Sequence, residues 1–325
     1  MKKTRIAAKV IAILSLVSLL TAVGSNVQEG AAASGKQANC SRTSVGYKPL
    51  TDFKGEKYIG YEGGLYPGRT NQPSPSYLQL GLKKAAAVKP RNRDGTPDSA
   101  GRIALLSIGM SNTTAEFSEF VREAGADPQR NPQVVLVDGA QGGMDAERTK
   151  DPGSSYWNFV AQRLSAADVT ASQVQVVWLK QAIAGENKPF PADARQLQDD
   201  LRANVRILIQ RFPNLQLIYL SSRIYAGYAS TRLNPEPHAY QSGFAVKWFI
   251  EEAIRDAGNT NGPWIAWGPY LWTDGTKGRK DGLVWTCNDV RQDGTHPSPT
   301  GTQKVAGLLL RFFRTDPTAN PWYMK

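Results

Sequence analysis

Histidine and cysteine are scarce in this chain, and no long apolar run occurs beyond its first two dozen residues. Only His238, His296, Cys40 and Cys287 occur in 325 residues. No Cys/His cluster with zinc spacing can be assembled from so few ligands. There is no Gly-x-x-x-x-Gly-Lys loop and no acidic metal cluster, which argues against phosphoryl transfer. Gly-x-Ser-x-Gly is also missing, because Thr113 stands where its second glycine would be, so a standard α/β-hydrolase elbow is not expected. The apolar segment 10–20 is shorter than a bilayer span requires.

That segment has a different use. Lys2, Lys3, Arg5 and Lys9 precede or open it, and small residues at 21–25 and 31–33 offer cleavage sites. Residues 1–33 therefore read as a signal peptide, with an uncleaved anchor as the alternative. The expected location is secreted, periplasmic or in the cell envelope, with no stable membrane span after cleavage. The cysteines agree: in an oxidising compartment Cys40 and Cys287 can pair, two free thiols being the alternative. Net charge is +11, and removing residues 1–33 takes away four bases and one acid, leaving near +8. Such a surface suits an anionic envelope polymer. The basic residues are scattered and carry no recognition motif, so no nucleic acid partner is expected.

Residues 34–100 are rich in Gly, Pro, Tyr and Lys and read as an irregular arm packed on the main domain, with one helix near 77–88. From 101 to 325 a strand-helix alternation takes over. Apolar, β-rich runs predict strands at 102–108, 134–137, 174–179, 215–220 and 264–267. Helices are expected from Thr113/Thr114, with Glu116 as a capping residue, and at 155–164, 192–212, 243–257 and 301–313. Leu197, Leu201, Val205 and Leu208 fall on one helical face. Short buried strands alternating with amphipathic helices define an α/β protein with a parallel sheet covered on both faces.

In such a sheet ligands bind beyond the carboxyl ends of the strands. The segments following each strand are Gly109-Met110-Ser111-Asn112, Asp138-Gly139-Ala140-Gln141-Gly142-Gly143, Lys180-Gln181, Ser221-Ser222-Arg223 and, after a Trp-rich insertion, Asp293-Gly-Thr-His296. The fold thus gathers the polar and Gly-rich clusters on one rim. An imidazole is the side chain best suited to take a proton from a hydroxyl near neutral pH, and a carboxylate three residues earlier can orient it. Ser111, at a strand-to-helix turn, supplies a nucleophile near a helix N-terminus. Each cluster also has a plainer reading. Asp-x-x-His before a helix can be a turn and cap, and 139–143 an ordinary tight turn. Asp138 and Asp145 read as turn or cap groups, and His238 as a loop histidine. Asn112, Lys180 and Arg223 are candidates to contact substrate, Arg223 through a carboxylate or phosphate, with a surface ion pair as its alternative.

These blocks resemble the SGNH (GDSL-like) hydrolase superfamily over roughly residues 102–314. Ile108-Gly109-Met110-Ser111-Asn112 is closest to the Gly-x-Ser-Asn form of secreted carbohydrate acetylesterases. Gly139-Ala140-Gln141-Gly142 is similar to the second block and Asp293-Gly-Thr-His296-Pro-Ser to the last. The resemblance implies a flavodoxin-like three-layer α/β/α sandwich. It also implies ester hydrolysis through an acyl-serine, with no metal or other cofactor. Ser111, Asp293 and His296 would form the triad, and the backbone of Ser111 and Gly142 would hold the oxyanion. One block departs: where the family carries Asn, or Trp-x-Gln-Gly-Glu, this chain has Trp178-Leu179-Lys180-Gln181-Ala182-Ile183-Ala184-Gly185-Glu186. Ala182 stands at the Asn position, leaving Gln181 or Lys180 as substitute donors. The expectation is an exported serine esterase acting on a short acyl group of a carbohydrate, whose sugar the eight tryptophans could stack on or leave to core packing. The alternatives are a non-catalytic glycan- or envelope-binding protein on this fold and a lipid-directed esterase or acyltransferase.

Overall fold

A computed structural model describes Met1 and residues 37–185, 188–257 and 262–325; the signal-peptide segment and Glu186 lie outside the described residues. Its centre is a five-stranded sheet of β3 (Ile103–Gly109), β4 (Val134–Asp138), β5 (Val174–Lys180), β6 (Leu217–Leu220) and β7 (Trp264–Trp267). The spatial order is β4-β3-β5-β6-β7, and every pairing is parallel. All seven residues of β3 and of β5 are buried, as strands covered on both faces require.

Helices make the outer layers. On one face α2 (Ser111–Gly125) packs on α7 (Pro299–Thr315), with the short α8 (Asn320–Tyr323) beside α7. On the other, α5 (Ala192–Arg211) packs on α6 (His238–Asp256), with α3 (Ala146–Thr149) and α4 (Ser155–Ala166) alongside. The expected stripe Leu197, Leu201, Val205 and Leu208 is the buried side of α5. Ser298 caps α7 by accepting from the Gly301 N–H at 3.3 Å, and Pro299 opens the helix where a missing N–H costs nothing. This is the α/β/α sandwich that the resemblance implied, with the flavodoxin-type strand order. Because β3 and β5 send their connections to opposite edges, a crevice opens beyond their carboxyl ends.

Two boundaries differ informatively from expectation. Helix α2 starts at Ser111 rather than at Thr113, and Glu116 is no capping residue: it is fully buried against Lys180. Helix α6 runs through Gly243, where a Cβ would come to 3.0 Å from Leu50 Cδ1, so the glycine admits the arm instead of starting the helix.

Residues 37–100 contain a small antiparallel ribbon, β1 (Lys57–Tyr58) with β2 (Tyr61–Glu62), and one helix, α1 (Pro75–Ala87). They are sewn to edge strand β7: Tyr77 Oη donates to Ile265 O at 2.7 Å, and Trp267 Nε1 donates to Leu65 O at 2.8 Å. The arm thereby covers an edge that would otherwise be free to pair with another chain. At its start Cys40 and Cys287 form a disulfide. Among the described residues no helix is long and apolar enough to cross a membrane.

Candidate active site

Strand β3 delivers Ser111 to the rim. Gly109 closes the strand where a Cβ would meet Lys180 O and Thr113 Oγ1 at 2.3 Å, so only glycine lets β3, β5 and α2 converge here. Met110 is extended and offers no side-chain cap, which leaves the first-turn amides of α2 directed at the rim. Ser111 is half-buried there. A Cβ on Gly142, in the loop after β4, would lie 3.8 Å from Ser111 Cβ, which places that loop beside the hydroxyl.

His296 arrives from the loop before α7. Its Nε2 lies 2.8 Å from Ser111 Oγ, and its Nδ1 lies 2.5 Å from Asp293 Oδ2. The other carboxylate oxygen, Oδ1, accepts from the backbone N–H of Thr295 at 2.9 Å and of His296 at 3.0 Å. Partial burial would raise the Asp293 pKa, but the His296 ring and these two amides overbalance it and hold the carboxyl below its ordinary value. Asp293 therefore stays ionised beside the ring. Gly294, at φ +64°, makes the tight turn between them, and a Cβ there would meet Tyr228 O at 2.0 Å. Further bonds hold the loop: Asn112 Nδ2 donates to Thr295 O at 3.1 Å, Ser230 N–H to Asp293 O at 3.0 Å, and Arg291 N–H to His296 O at 2.8 Å. The turn-and-cap reading of Asp293 is also present, since one carboxylate oxygen caps the turn and the other holds the ring.

The clusters after the remaining strands divide. Asp138 is a strut: it accepts from Ser107 Oγ at 2.6 Å, from the Ala140 N–H at 3.1 Å, and from Thr114 and Ser118 on α2. Asp145 caps α3 and accepts from the Ala184 N–H at 2.9 Å. His238 sits 3.5 Å from Asp193 and is not among the residues lining the hollows at Ser111.

Three candidates are corrected. Gln181 is no free oxyanion donor, because its Nε2 is spent on Met144 O at 3.2 Å and Thr149 Oγ1 at 3.0 Å below the rim. Lys180 does not contact substrate space: it is fully buried, with Nζ on both carboxylate oxygens of Glu116. Burial pushes its amine down to about 8 and the Glu116 carboxyl up, each drawn back by the other's charge. All eight tryptophans are buried, so none offers a free face for a sugar. Sequence spacing hid these outcomes because a strand end alternates its side chains, and which one turns inward is decided by packing.

Two hollows meet at Ser111 and His296. One, of about 430 Å³, is open and lined by Thr114, Ser118 and Arg291. The other, of about 310 Å³, is lined by Met110, Asn112, Ala184, Arg223, Leu233 and Asn234. Leu233 and Asn234, in the loop after β6, were missed; the Asn234-Pro235 dipeptide was the turn signal available.

No family model matches the chain, and no curated protein matches it. Solved structures do. One is a carbohydrate esterase family 3 protein from Talaromyces cellulolyticus, at 14% identity and TM-score 0.39, covering 64% of this chain and 94% of that one. Another is a mutant acetyl-xylooligosaccharide esterase from Geobacillus Stearmophilus, at 15% identity and TM-score 0.40, covering 64% and 93%. A third is the periplasmic domain of a lipopolysaccharide acetyltransferase from Salmonella ser. Paratyphi A, at 12% identity and TM-score 0.38, covering 73% and 94%. At such distances the chemistry has to be read from the site itself.

Proposed function

We propose that the chain is an exported SGNH-type serine esterase that removes a short acyl group, preferably from a carbohydrate. The observation that carries this reading is the unbroken line Ser111 Oγ, His296 Nε2, His296 Nδ1 and Asp293 Oδ2, with contacts of 2.8 and 2.5 Å. Ser111 Oγ attacks the ester carbonyl while its proton passes to His296 Nε2, and Asp293 stabilises the imidazolium. The tetrahedral oxyanion is held by the backbone N–H groups of Ser111 and Gly142. As it collapses, the imidazolium returns the proton to the departing alkoxide, leaving an acyl-serine and a free alcohol. Water, deprotonated by the same imidazole, then attacks the acyl-serine; collapse restores the Ser111 hydroxyl and releases the carboxylic acid.

With Gln181 occupied and Ala182 at the position of the family's Asn, the hole has two backbone donors and no assigned side-chain donor. Loss of one such donor costs about 10²–10³ in rate, so turnover should be slow by the standard of complete sites. The short-acyl preference rests on the Gly-x-Ser-Asn block and on the compact hollow of about 310 Å³ beside Ser111. Export rests on residues 1–33 and on the disulfide.

The test is intact-mass analysis after fluorophosphonate treatment, with Ser111→Ala and a heat-denatured sample beside the folded wild type. One adduct on folded wild type alone is expected, together with acetate release from acetylated glycans. A folded protein that takes no label while a known serine esterase is labelled is instead a binding protein on this fold.

A further inference from the structure

The hollow of about 310 Å³ contains a charge that the esterase reaction does not use. Arg223 lines it and is only 2% exposed. Its Nε is buried without an acceptor, and the one hydrogen bond Arg223 makes among the described residues comes from its backbone N–H, to Ser242 Oγ at 3.2 Å. A guanidinium carries five donors and does not lose its charge in proteins, so burying it without acceptors is costly. The acids that act on it electrostatically are Glu116, Glu236 and Asp293, and each is committed elsewhere. Glu116 is taken by Lys180. Glu236 accepts from the Ala226 N–H at 2.9 Å, the Tyr240 N–H at 3.0 Å and Trp272 Nε1 at 2.7 Å. Asp293 holds His296.

Glu116 and Glu236 thus face the two buried cations Lys180 and Arg223, yet neither accepts a hydrogen bond from the guanidinium. Asp145, the acid on the wall of the hollow, has its oxygens on the Arg148 and Ala184 amides. The hollow therefore has on its lining a buried guanidinium whose side chain makes no hydrogen bond among the described residues, beside Ser111 and His296. Around it the wall is apolar, through Met110, Ala184 and Leu233. A planar monoanion fits this: two parallel N–H···O bonds from a guanidinium match a carboxylate.

We infer that this cavity is a carboxylate subsite, and that the preferred ester bears a carboxylate which Arg223 binds. The inference rests on Ser111 being the nucleophile only for calling the ligand a substrate; the subsite itself is read from Arg223. The carboxylate belongs either to the acyl half, as in a hemiester of a dicarboxylic acid, or to the alcohol half, as in an acylated uronic acid.

Binding separates this from catalysis. The full chain carrying Ser111→Ala is titrated calorimetrically with two acid/neutral pairs, ethyl hydrogen succinate against diethyl succinate and methyl galacturonoside against methyl galactoside. At least one acid should bind about 10- to 100-fold more tightly than its neutral partner, the size of a charge-assisted hydrogen bond. The pair showing the difference identifies the half of the ester that carries the charge. Adding Arg223→Gln should erase the difference, and Arg223→Lys, which keeps charge but not the fork, should restore only part of it. If Arg223→Gln does not fold, the Ser111→Ala ratios and the lysine variant decide. Acid and neutral ligands binding within threefold of each other in both pairs overturns the subsite, as does a preference that survives in folded Arg223→Gln. Failure of the esterase reading appears separately, as absent fluorophosphonate labelling with the acid preference intact.

Discussion

Replacing Glu116 with Gln should be among the most damaging single changes in the chain, although Glu116 touches no substrate. It is the one acid placed against two buried cations, Lys180 and Arg223, and both Glu116 and Lys180 are fully buried. Removing it leaves two like charges in the interior, and breaking a buried pair in this way costs about 3–5 kcal/mol. For a domain of this size that is a fall in Tm of roughly 5–8 °C. Lys180→Met should cost less, because Glu116 can then answer Arg223. The double variant Glu116→Gln/Lys180→Met should be less damaged than Glu116→Gln alone, so the cycle closes with a favourable coupling. The single acid variant should also show a stronger pH signature than the wild type. Lys180 is already pushed down to about 8, and without Glu116 it falls further. Between that folded value and the ordinary lysine pKa the unfolded chain binds more protons, so stability rises with pH. Urea unfolding of the four proteins at pH 7 and pH 9.5 measures all of this. A Glu116→Gln cost under about 1 kcal/mol, or one smaller than that of Lys180→Met, would refute the account of this cluster.

Gly294→Ala should cut esterase kcat by about 10² or more while costing about 1–3 kcal/mol, since the left-handed turn must rearrange to clear Tyr228 O; equal kcat by acetate release would show the turn is not what aligns His296. Reducing the disulfide, or Cys40→Ser with Cys287→Ser, should lower stability by up to about 5 kcal/mol for a bridge spanning 247 residues, read as a lower guanidinium midpoint. Asp293 has a folded pKa below its unfolded one, so its stabilising share is complete above the unfolded value near 3.9 and is lost as pH falls through the folded value. The gap in urea midpoint between wild type and Asp293→Asn should therefore shrink as pH falls from about 5 to below about 4. A gap that grows on acidification contradicts that sign.

Much of the fold was legible because it is periodic. The runs ending at Gly109, Lys180 and Trp267 are mostly apolar, broken only by Ser107, Gln175 and Lys180, and α5 shows its buried stripe in the spacing of Leu197, Leu201 and Val205. The candidate triad was legible for a related reason: with two histidines in the chain, Asp293 and His296 had few competitors. The start of α2 was not, since Thr113, Thr114 and Glu116 imitate a capping box while Glu116 is drawn inward by Lys180. A local motif cannot register a partner 64 residues away.

What the sequence determined by itself is whatever local geometry sets: alternation of strand and helix, the parallel sheet, and the rim on which Ser111, Asp293 and His296 fall. Only the tertiary structure decided which rim side chains face the hollow. Gln181 and Lys180 are neighbours in sequence to that rim, yet both are spent beneath it on Met144, Thr149 and Glu116. Arg223 could be read equally as a surface ion pair, yet it is buried with its Nε unanswered. The physical reason is common to these cases. A polar group's role depends on which partners desolvation leaves within hydrogen-bond reach, and those partners come from strands and loops far apart along the chain.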